Sequence, residues 1–291
     1  MVVTSDFEIT NEQRVFSVCK TLFVLKIKST DMKNIFDAHM HYFYGSCEDM
    51  KHLLSTSPYK DSYFVYHSVN LGRLDIDAYL STISGAFLMP FILKETIIPE
   101  ANRSLFEYSK KNSQTVYPIP LVDEDPDCLQ YIDIAIGAKE HFIKHNAFAC
   151  EKREKAYNHL DAHKKFLILH CGDNVRYNYV EYLLQRYKNM RIVLAHLGVN
   201  RRERNMTEKV IKKYSVENRV YFDTSTIFDI DIIKFALSII PVERIFFGSD
   251  TPFVLRENPI EDAVKIIMEL NISDTDKENN IHKNVIEFIN N

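Results

Sequence analysis

The sequence predicts an α/β fold, a (β/α)8 TIM barrel, on three observations. The first is a period in the second half of the chain. Four apolar runs, Phe166–His170, Arg191–His196, Arg219–Asp223 and Arg244–Asp250, end in polar residues at 170, 196, 223 and 250, separated by 26, 27 and 27 positions. A strand of about 5 residues, a helix of about 12 and two loops fill such a period. The second is the character of the runs, which are almost continuously apolar, as strands of a parallel sheet covered on both faces must be. The segments between them, such as 178–188 and 205–214, carry the charged amphipathic pattern of helices. The third is length: 291 residues accommodate eight such units. An open doubly wound sheet is the structural alternative.

The elements follow in order along one domain, residues 1–291. Residues 1–33 read as an N-terminal extension with an additional helix around 11–28. Asn34–His39 reads as the first strand. The segment Tyr42–Gly85 reads as inserted helices, clearest at 49–55 and 74–83. It leaves directly from the end of strand one, so it is expected over the active-site face, where the loops of such barrels carry function. Ala86–Leu93 is the second strand despite Pro90, Val116–Val122 the third, and a run near Ile132–Phe142 the fourth; the four periodic runs complete the set.

Composition excludes several function classes. Lys and Arg total 36 against 40 Asp and Glu, a net charge of −4, which lacks the basic footprint of a nucleic-acid binder. Only 7 glycines occur, with no GxGxxG or GxxxxGK[ST] pattern, so a phosphate-cradling loop is not indicated. The cysteines, Cys19, Cys47, Cys128, Cys150 and Cys171, are odd in number and none are in CxxC spacing, which argues against a disulfide framework or a cysteine zinc site. No basic stretch followed by an apolar run opens the chain, and no run reaches the roughly 18 apolar residues of a membrane span. A reduced, cytoplasmic setting is expected, with a small molecule rather than nucleic acid or membrane as partner; homo-oligomer formation is left open.

The chemistry-bearing residues stand at strand ends. In a strand, positions i and i+2 share a face, so His39 and His41 of Asp37-Ala-His39-Met-His41 can approach one ion while Met40 packs the other way. His170, His196 and Asp250 close later runs in the same register. In a barrel the C-terminal strand ends converge, and His39, His41, His170, His196 and Asp250 then meet at one mouth, a constellation suited to a metal ion. Asp223 closes the seventh run. A strand-end cap is its expected role, ahead of substrate binding or orientation of a ligand. Cys171 faces away from His170 and reads as packing.

The segments DAHMH, LILHCGDN, IVLAHLG and IFFGSDTPF resemble the amidohydrolase superfamily, and within it the amidohydrolase-related branch that contains aminocarboxymuconate semialdehyde decarboxylase. The likeness runs from about Asp37 to Pro252. It implies one divalent ion, zinc with manganese as the alternative, held by His39, His41, His170 and Asp250. It implies that His196 hydrogen-bonds water or substrate in a one-metal site. Gly137-Ala-Lys139-Glu-His141 resembles the family's strand-four G-x-K-x-H stretch. A Lys139 carboxylated to bridge a second ion is the less favoured reading, and a free ammonium the favoured one. Alternation turns Glu140 away from Lys139, and His141 shares the face of Lys139. Lys139, His141 and Arg176 are the candidate substrate contacts, suited to an anionic small molecule. The Arg201–Arg204 cluster reads as a solvated helix start.

The activity that this implies is metal-dependent hydrolysis of a small-molecule ester, amide or lactone. The ion lowers the pKa of its water from 15.7 to about 7, Asp250 passes the proton to the leaving group, and His196 stabilises the developing oxyanion. The alternative is a metal-dependent non-oxidative decarboxylase. A TatD-like nuclease and a non-catalytic barrel rank below both.

Overall fold

The structure is a computed structural model that describes residues 34–43, 76–92, 96–112, 114–141, 151–170, 177–198, 204–251 and 259–291. The expected N-terminal extension, the helix at 49–55, Cys171, Arg176, Arg201 and Arg202 lie outside these residues. The strands are β1 Phe36–Tyr42, β2 Gly85–Pro90, β3 Val116–Pro118, β4 Gly137–His141, β5 Phe166–His170, β6 Arg191–Leu194, β7 Val220–Asp223 and β8 Ile245–Phe246. A helix follows each in turn: α1 Ile76–Leu80, α2 Ile98–Lys111, α3 Leu129–Ile134, α4 Glu154–Ala162, α5 Tyr177–Arg186, α6 Arg204–Tyr214, α7 Ile230–Ile239 and α8 Pro259–Met268. Two further short helices, α9 Asp274–Glu278 and α10 Asn284–Asn290, close the chain around a π-helical stretch, Asn279–Lys283.

All neighbouring strands pair in parallel, β1-β2-β3 and β4 through β8. Two bridges close the ring. Leu121 pairs with Lys139 between β3 and β4, and Met40 pairs with Thr251 between β1 and the end of β8. The barrel is therefore closed, not the open doubly wound sheet. Closure brings all eight C-terminal strand ends to one face.

The core has an outer and an inner part. Outside, Leu167, Leu169, Ile192, Leu194, Val220 and Phe222 of the strands pack against Tyr157, Leu160, Leu183, Val210 and Ala236 of the helices. Inside, Phe36, Phe87, Phe166 and Phe246 fill the N-terminal end, with Phe288 of α10 inserted from below. Phe166 and Phe246 each lie 5.0 Å from the Phe288 ring, and Phe36 lies 5.2 Å edge-on to Phe87, the edge and tilted geometries that aromatic quadrupoles favour. This dry plug leaves polar chemistry to the opposite end.

The fourth strand is shorter than the sequence pattern suggested. Residues 129–134 are helical and the strand begins at Gly137. The Asp125 side chain accepts a hydrogen bond from the Asp127 backbone and starts a helical turn, which Leu129–Ile134 continues with Ile132 buried and Ile134 exposed. Local capping overrides an apolar run that periodicity alone reads as strand. Of the segment Tyr42–Gly85, the described part 76–84 ends on the barrel wall: Ile76, Leu80 and Ile83 join Ile35, Met40 and Leu88 in the outer core. Residues 44–75 lie outside the described set. Among the described residues no helix is long and apolar enough to cross a membrane.

A basic residue at the start of each of strands five to eight ties the layers together. Lys165 donates to Ile132 O at 2.8 Å, Arg191 to Lys164 O at 3.4 Å, and Arg219 to Leu184 O at 2.9 Å and Tyr187 O at 2.6 Å. Arg244 donates to Glu217 O at 2.7 Å, to Val220 O at 3.2 Å and to Ser215 O. Each reaches back to the end of the helix that precedes the neighbouring strand, where carbonyls lack intrahelical partners. Arg244→Met should therefore lower stability by about 2–3 kcal/mol, the worth of charge-assisted bonds to buried acceptors. A urea denaturation midpoint within error of the parent would contradict this reading.

Candidate metal centre

The end of β8 is stitched to β1 by backbone bonds. Ala38 N donates to Phe247 O at 2.9 Å, Asp250 N to His39 O at 2.8 Å, and His41 N to Thr251 O at 2.8 Å. The β1 register against β2 shifts between Asp37 and Met40, a bulge of the kind that re-aims side chains near sites. Met40 packs in the outer core, while His39 and His41 turn to Asp250. Asp250 itself takes φ 63°, the left-handed region. Gly248 allows the approach: a Cβ there would stand 3.0 Å from His39 Cβ and 3.1 Å from Ser225 Cβ.

The result is a converging donor set. His41 Nε2 lies 3.1 Å from Asp250 Oδ1, and His39 Nε2 lies 3.5 Å from the same oxygen. The three donor atoms fall within 4.8 Å of one another, and all three residues are buried. Donors bound at about 2.0–2.1 Å to a tetrahedral ion sit about 3.4 Å apart, so this spacing fits a divalent cation. Two imidazoles and one carboxylate also match the ligand types of zinc and manganese sites.

The remaining strand-end residues surround this set. Lys139 Nζ lies 3.3 Å from His39 Nε2, and Glu140 turns outward into a buried pair with Arg153 Nε at 2.8 Å. His170 reaches the mouth next to His196, its Nδ1 3.0 Å from His196 Nε2. His141 stacks on His170 with ring centroids 3.9 Å apart. The described structure thus groups His39, His41 and Asp250 directly and joins His170 to them through His196, whose ring lies 4.9 Å from that of His39. His196 stands on a turn of three consecutive left-handed residues, with φ 57° at His196, 53° at Leu197 and 77° at Gly198. Its Nδ1 meets Ser225 Oγ at 2.8 Å and Ser225 O at 3.1 Å.

Three residues lie beneath the site: Asp223, which the sequence marked as a strand-end residue, and Asp37 and Ser225, which it did not mark. Asp223 accepts from His39 Nδ1 at 2.8 Å, His196 N at 2.9 Å and Ser225 N at 3.1 Å, and Ser225 Oγ also donates to it. Asp37 accepts from His39 N and Ser249 N, each at 3.0 Å. The strand-end position of Asp223 was legible, but its partner His39 lies 184 residues away. Asp37 and Ser225 gave no pattern to separate them from ordinary strand and turn residues.

Burial sets the protonation states. It lowers His39 to about 3, with the Lys139 charge adding to the effect and Asp223 opposing it. Burial likewise holds His170 well below the usual range, aided by His141 and His196, and does the same to His141, aided by Lys139. Burial pushes Asp250 and Asp223 up, but their histidine partners outweigh it and keep both well below the ordinary carboxylate value. Asp37 is raised to about 7, chiefly by burial. Neutral imidazoles and an ionised carboxylate are the forms that coordinate metal.

These shifts fix a sign for acid sensitivity. As pH falls below about 6.5, the unfolded chain protonates His39, His141 and His170 while the folded chain does not. Asp37 opposes this, since its folded carboxyl takes up a proton near pH 7 that the unfolded one takes up only near 3.8. Three protons against one leave about two more on the unfolded chain, which costs about 2–3 kcal/mol per pH unit between about pH 6 and 4. Thermal melts of metal-stripped protein should drop steadily from pH 7 to pH 5. A flat or rising Tm over that range would show that these histidines are not held neutral.

The amidohydrolase family model matches residues 151–288, the half of the barrel that carries His170, His196, Asp223 and Asp250. No curated protein matches the sequence. Among solved structures the chain resembles 2,6-dihydroxybenzoate decarboxylase from Rhizobium, at TM-score 0.65 and 14% identity over 89% of this chain and 99% of that one. It also resembles 5-carboxyvanillate decarboxylase from Sphingomonas paucimobilis, at TM-score 0.64 and 11% identity over 88% and 98%. A third likeness is to dihydroxybenzoic acid decarboxylase from a Polaromonas species with bound manganese and the inhibitor 2-nitroresorcinol, at TM-score 0.62 and 14% identity over 89% and 97%. The family match across its second half, the closed barrel and the motifs at its strand ends all make the chain similar to the amidohydrolase superfamily.

Proposed function

We propose that the protein is a divalent-metal-dependent, non-oxidative decarboxylase of a small aromatic carboxylic acid. The observation that carries this reading is the pairing of the His39, His41 and Asp250 donor set with the Lys139 amine, 3.3 Å from His39 Nε2. An ion and a fixed ammonium side by side suit a substrate that brings its own negative charge. The solved barrels of similar architecture named above act on hydroxylated aromatic acids, which supports the substrate class.

In this reading His39, His41 and Asp250 would hold the ion, with His170 as the further candidate ligand. A divalent ion held there would supply positive charge to anionic oxygens of the substrate. Lys139, uncarboxylated, would anchor the substrate carboxylate through its ammonium. Loss of CO2 leaves an electron pair on carbon, and a proton must replace it. Asp250 would take that proton from solvent and pass it to carbon, ending ionised again, while His196 faces the developing negative charge. His141 and Arg176 are the further candidate contacts to substrate.

Hydrolysis of an ester, amide or lactone, expected first from the sequence, would use the same residues. There Asp250 would take the proton of the attacking water and pass it to the leaving group. The acids named for the similar barrels support decarboxylation over it, and zinc or manganese would serve either reaction.

The test is a paired assay on metal-replete protein. Hydroxybenzoate-type acids should release CO2, while simple esters and lactones should not turn over. Hydrolysis without CO2 release from any acid would instead establish the hydrolase reading. Purified without chelator, the protein should hold about one divalent ion per chain. Asp250→Asn, which keeps shape but loses charge and proton-carrying capacity, should reduce turnover by at least about 10²-fold with little change in Tm. Near-parental turnover in the metal-loaded variant would remove Asp250 from the chemistry.

A further inference from the structure

We propose that Asp223 is a positioning residue that fixes which ring nitrogen of His39 faces the metal centre, and so sets the affinity of that centre for a divalent ion. The proposal rests on the metal-centre reading above and adds a residue and a mechanism to it. Asp223 is fully buried at the end of β7, and its Oδ2 lies 2.8 Å from His39 Nδ1. An ionised carboxylate only accepts, so the His39 proton must sit on Nδ1. That leaves the Nε2 lone pair facing Asp250 Oδ1 at 3.5 Å, where a coordinating nitrogen is needed.

The other oxygen is as tightly committed. Asp223 Oδ1 accepts from His196 N, Ser225 N and Ser225 Oγ. These donors fix the carboxylate plane, so Oδ2 has one direction left, toward His39. His39, His196 and Asp223 also form a group with donor atoms within 4.8 Å. There Oδ2 and Nδ1 are engaged with each other, so that group is a hydrogen-bonded support rather than an ion seat. Carboxylate support of a ligating histidine fixes its tautomer and raises its basicity, and losing it typically weakens metal binding about 10–100-fold.

The substitution Asp223→Asn discriminates between orientation and simple capping. If the amide oxygen stays with His196 N and Ser225 N, the amide NH2 points at His39 Nδ1. His39 must then accept at Nδ1 and carry its proton on Nε2, the nitrogen that should bind metal. Flipping the amide would set its NH2 against two backbone N–H donors, which is repulsive. The amide therefore imposes the wrong tautomer while preserving volume.

The experiment titrates metal-stripped parent and Asp223→Asn with zinc chloride and with manganese chloride by calorimetry. In parallel, the His39 ring is followed by 15N NMR, with His39→Gln used for assignment. The expected result is an about 10–100-fold weaker Kd for the variant, with the His39 proton moved from Nδ1 to Nε2. A residue that only caps the strand end would lower the metal-free Tm and leave Kd and tautomer unchanged, which would overturn the proposal. Absence of metal binding by the parent would sink the metal-centre reading itself, a distinct result from parent binding that Asp223→Asn retains. If the variant does not fold, the parent spectrum still decides: a His39 proton on Nε2 in the parent overturns the assignment, and one on Nδ1 upholds it.

Discussion

The hydrogen bond between Asp223 and His39 is the contact on which the site's geometry turns. A carboxylate shut away from water stays ionised only when donors surround it, and here the donors come from β1, β6 and the turn after β7. The β1 donor lies 184 positions from Asp223 and meets it only because the barrel closes. One buried charge therefore reports the whole ring: displace any of the three strand ends and a desolvated carboxylate loses a partner. The same bond orders the chemistry above it, since the imidazole that it orients faces Asp250 from β8 and Lys139 from β4.

Closure in turn depends on features at the opposite end. The aromatic plug of Phe36, Phe87, Phe166, Phe246 and Phe288 fills the N-terminal interior without polar atoms. Arg219 and Arg244 bind carbonyls at and just beyond the ends of α5 and α6. Stability and function are thus placed on separate faces. The N-terminal face carries apolar packing and helix caps, and the C-terminal face carries histidines and carboxylates whose burial would be costly without mutual hydrogen bonds.

The repeat of 26, 27 and 27 residues made strands five to eight legible, because each unit there has nearly the same length and ends in a polar residue. The fourth unit was blurred because the buried Ile132 of α3 and the strand from Gly137 read as one run, and the capping turn at Asp125 that makes the first part helical is a local hydrogen bond. His39, His41 and Asp250 could be placed at one mouth because strand periodicity and barrel topology suffice for that. Their support could not. The bond from Asp223 to His39 spans 184 positions, and the carbonyls bound by Lys165, Arg191, Arg219 and Arg244 lie 24 or more positions away. Alternation did separate Lys139 from Glu140: one turns to the site, the other to Arg153, Tyr157 and Tyr179.

Backbone conformation at the strand ends follows from the same demands. His196, Leu197 and Gly198 after β6, Thr226 after β7 and Asp250 after β8 all lie at positive φ. Leu and the β-branched Thr rarely adopt it, and each such residue costs about 1–3 kcal/mol unless its surroundings hold it. What holds them is the site. His196 N is bound by Asp223, the His196 ring by Ser225, and Asp250 N by the His39 carbonyl. Straight strand ends would carry these side chains past one another. The left-handed turns bend them back over the barrel axis, and the buried hydrogen bonds that offset the strain are the same ones that orient the imidazoles. Fold strain and site geometry are therefore one arrangement, and a change that relaxed the backbone here would also separate the donors.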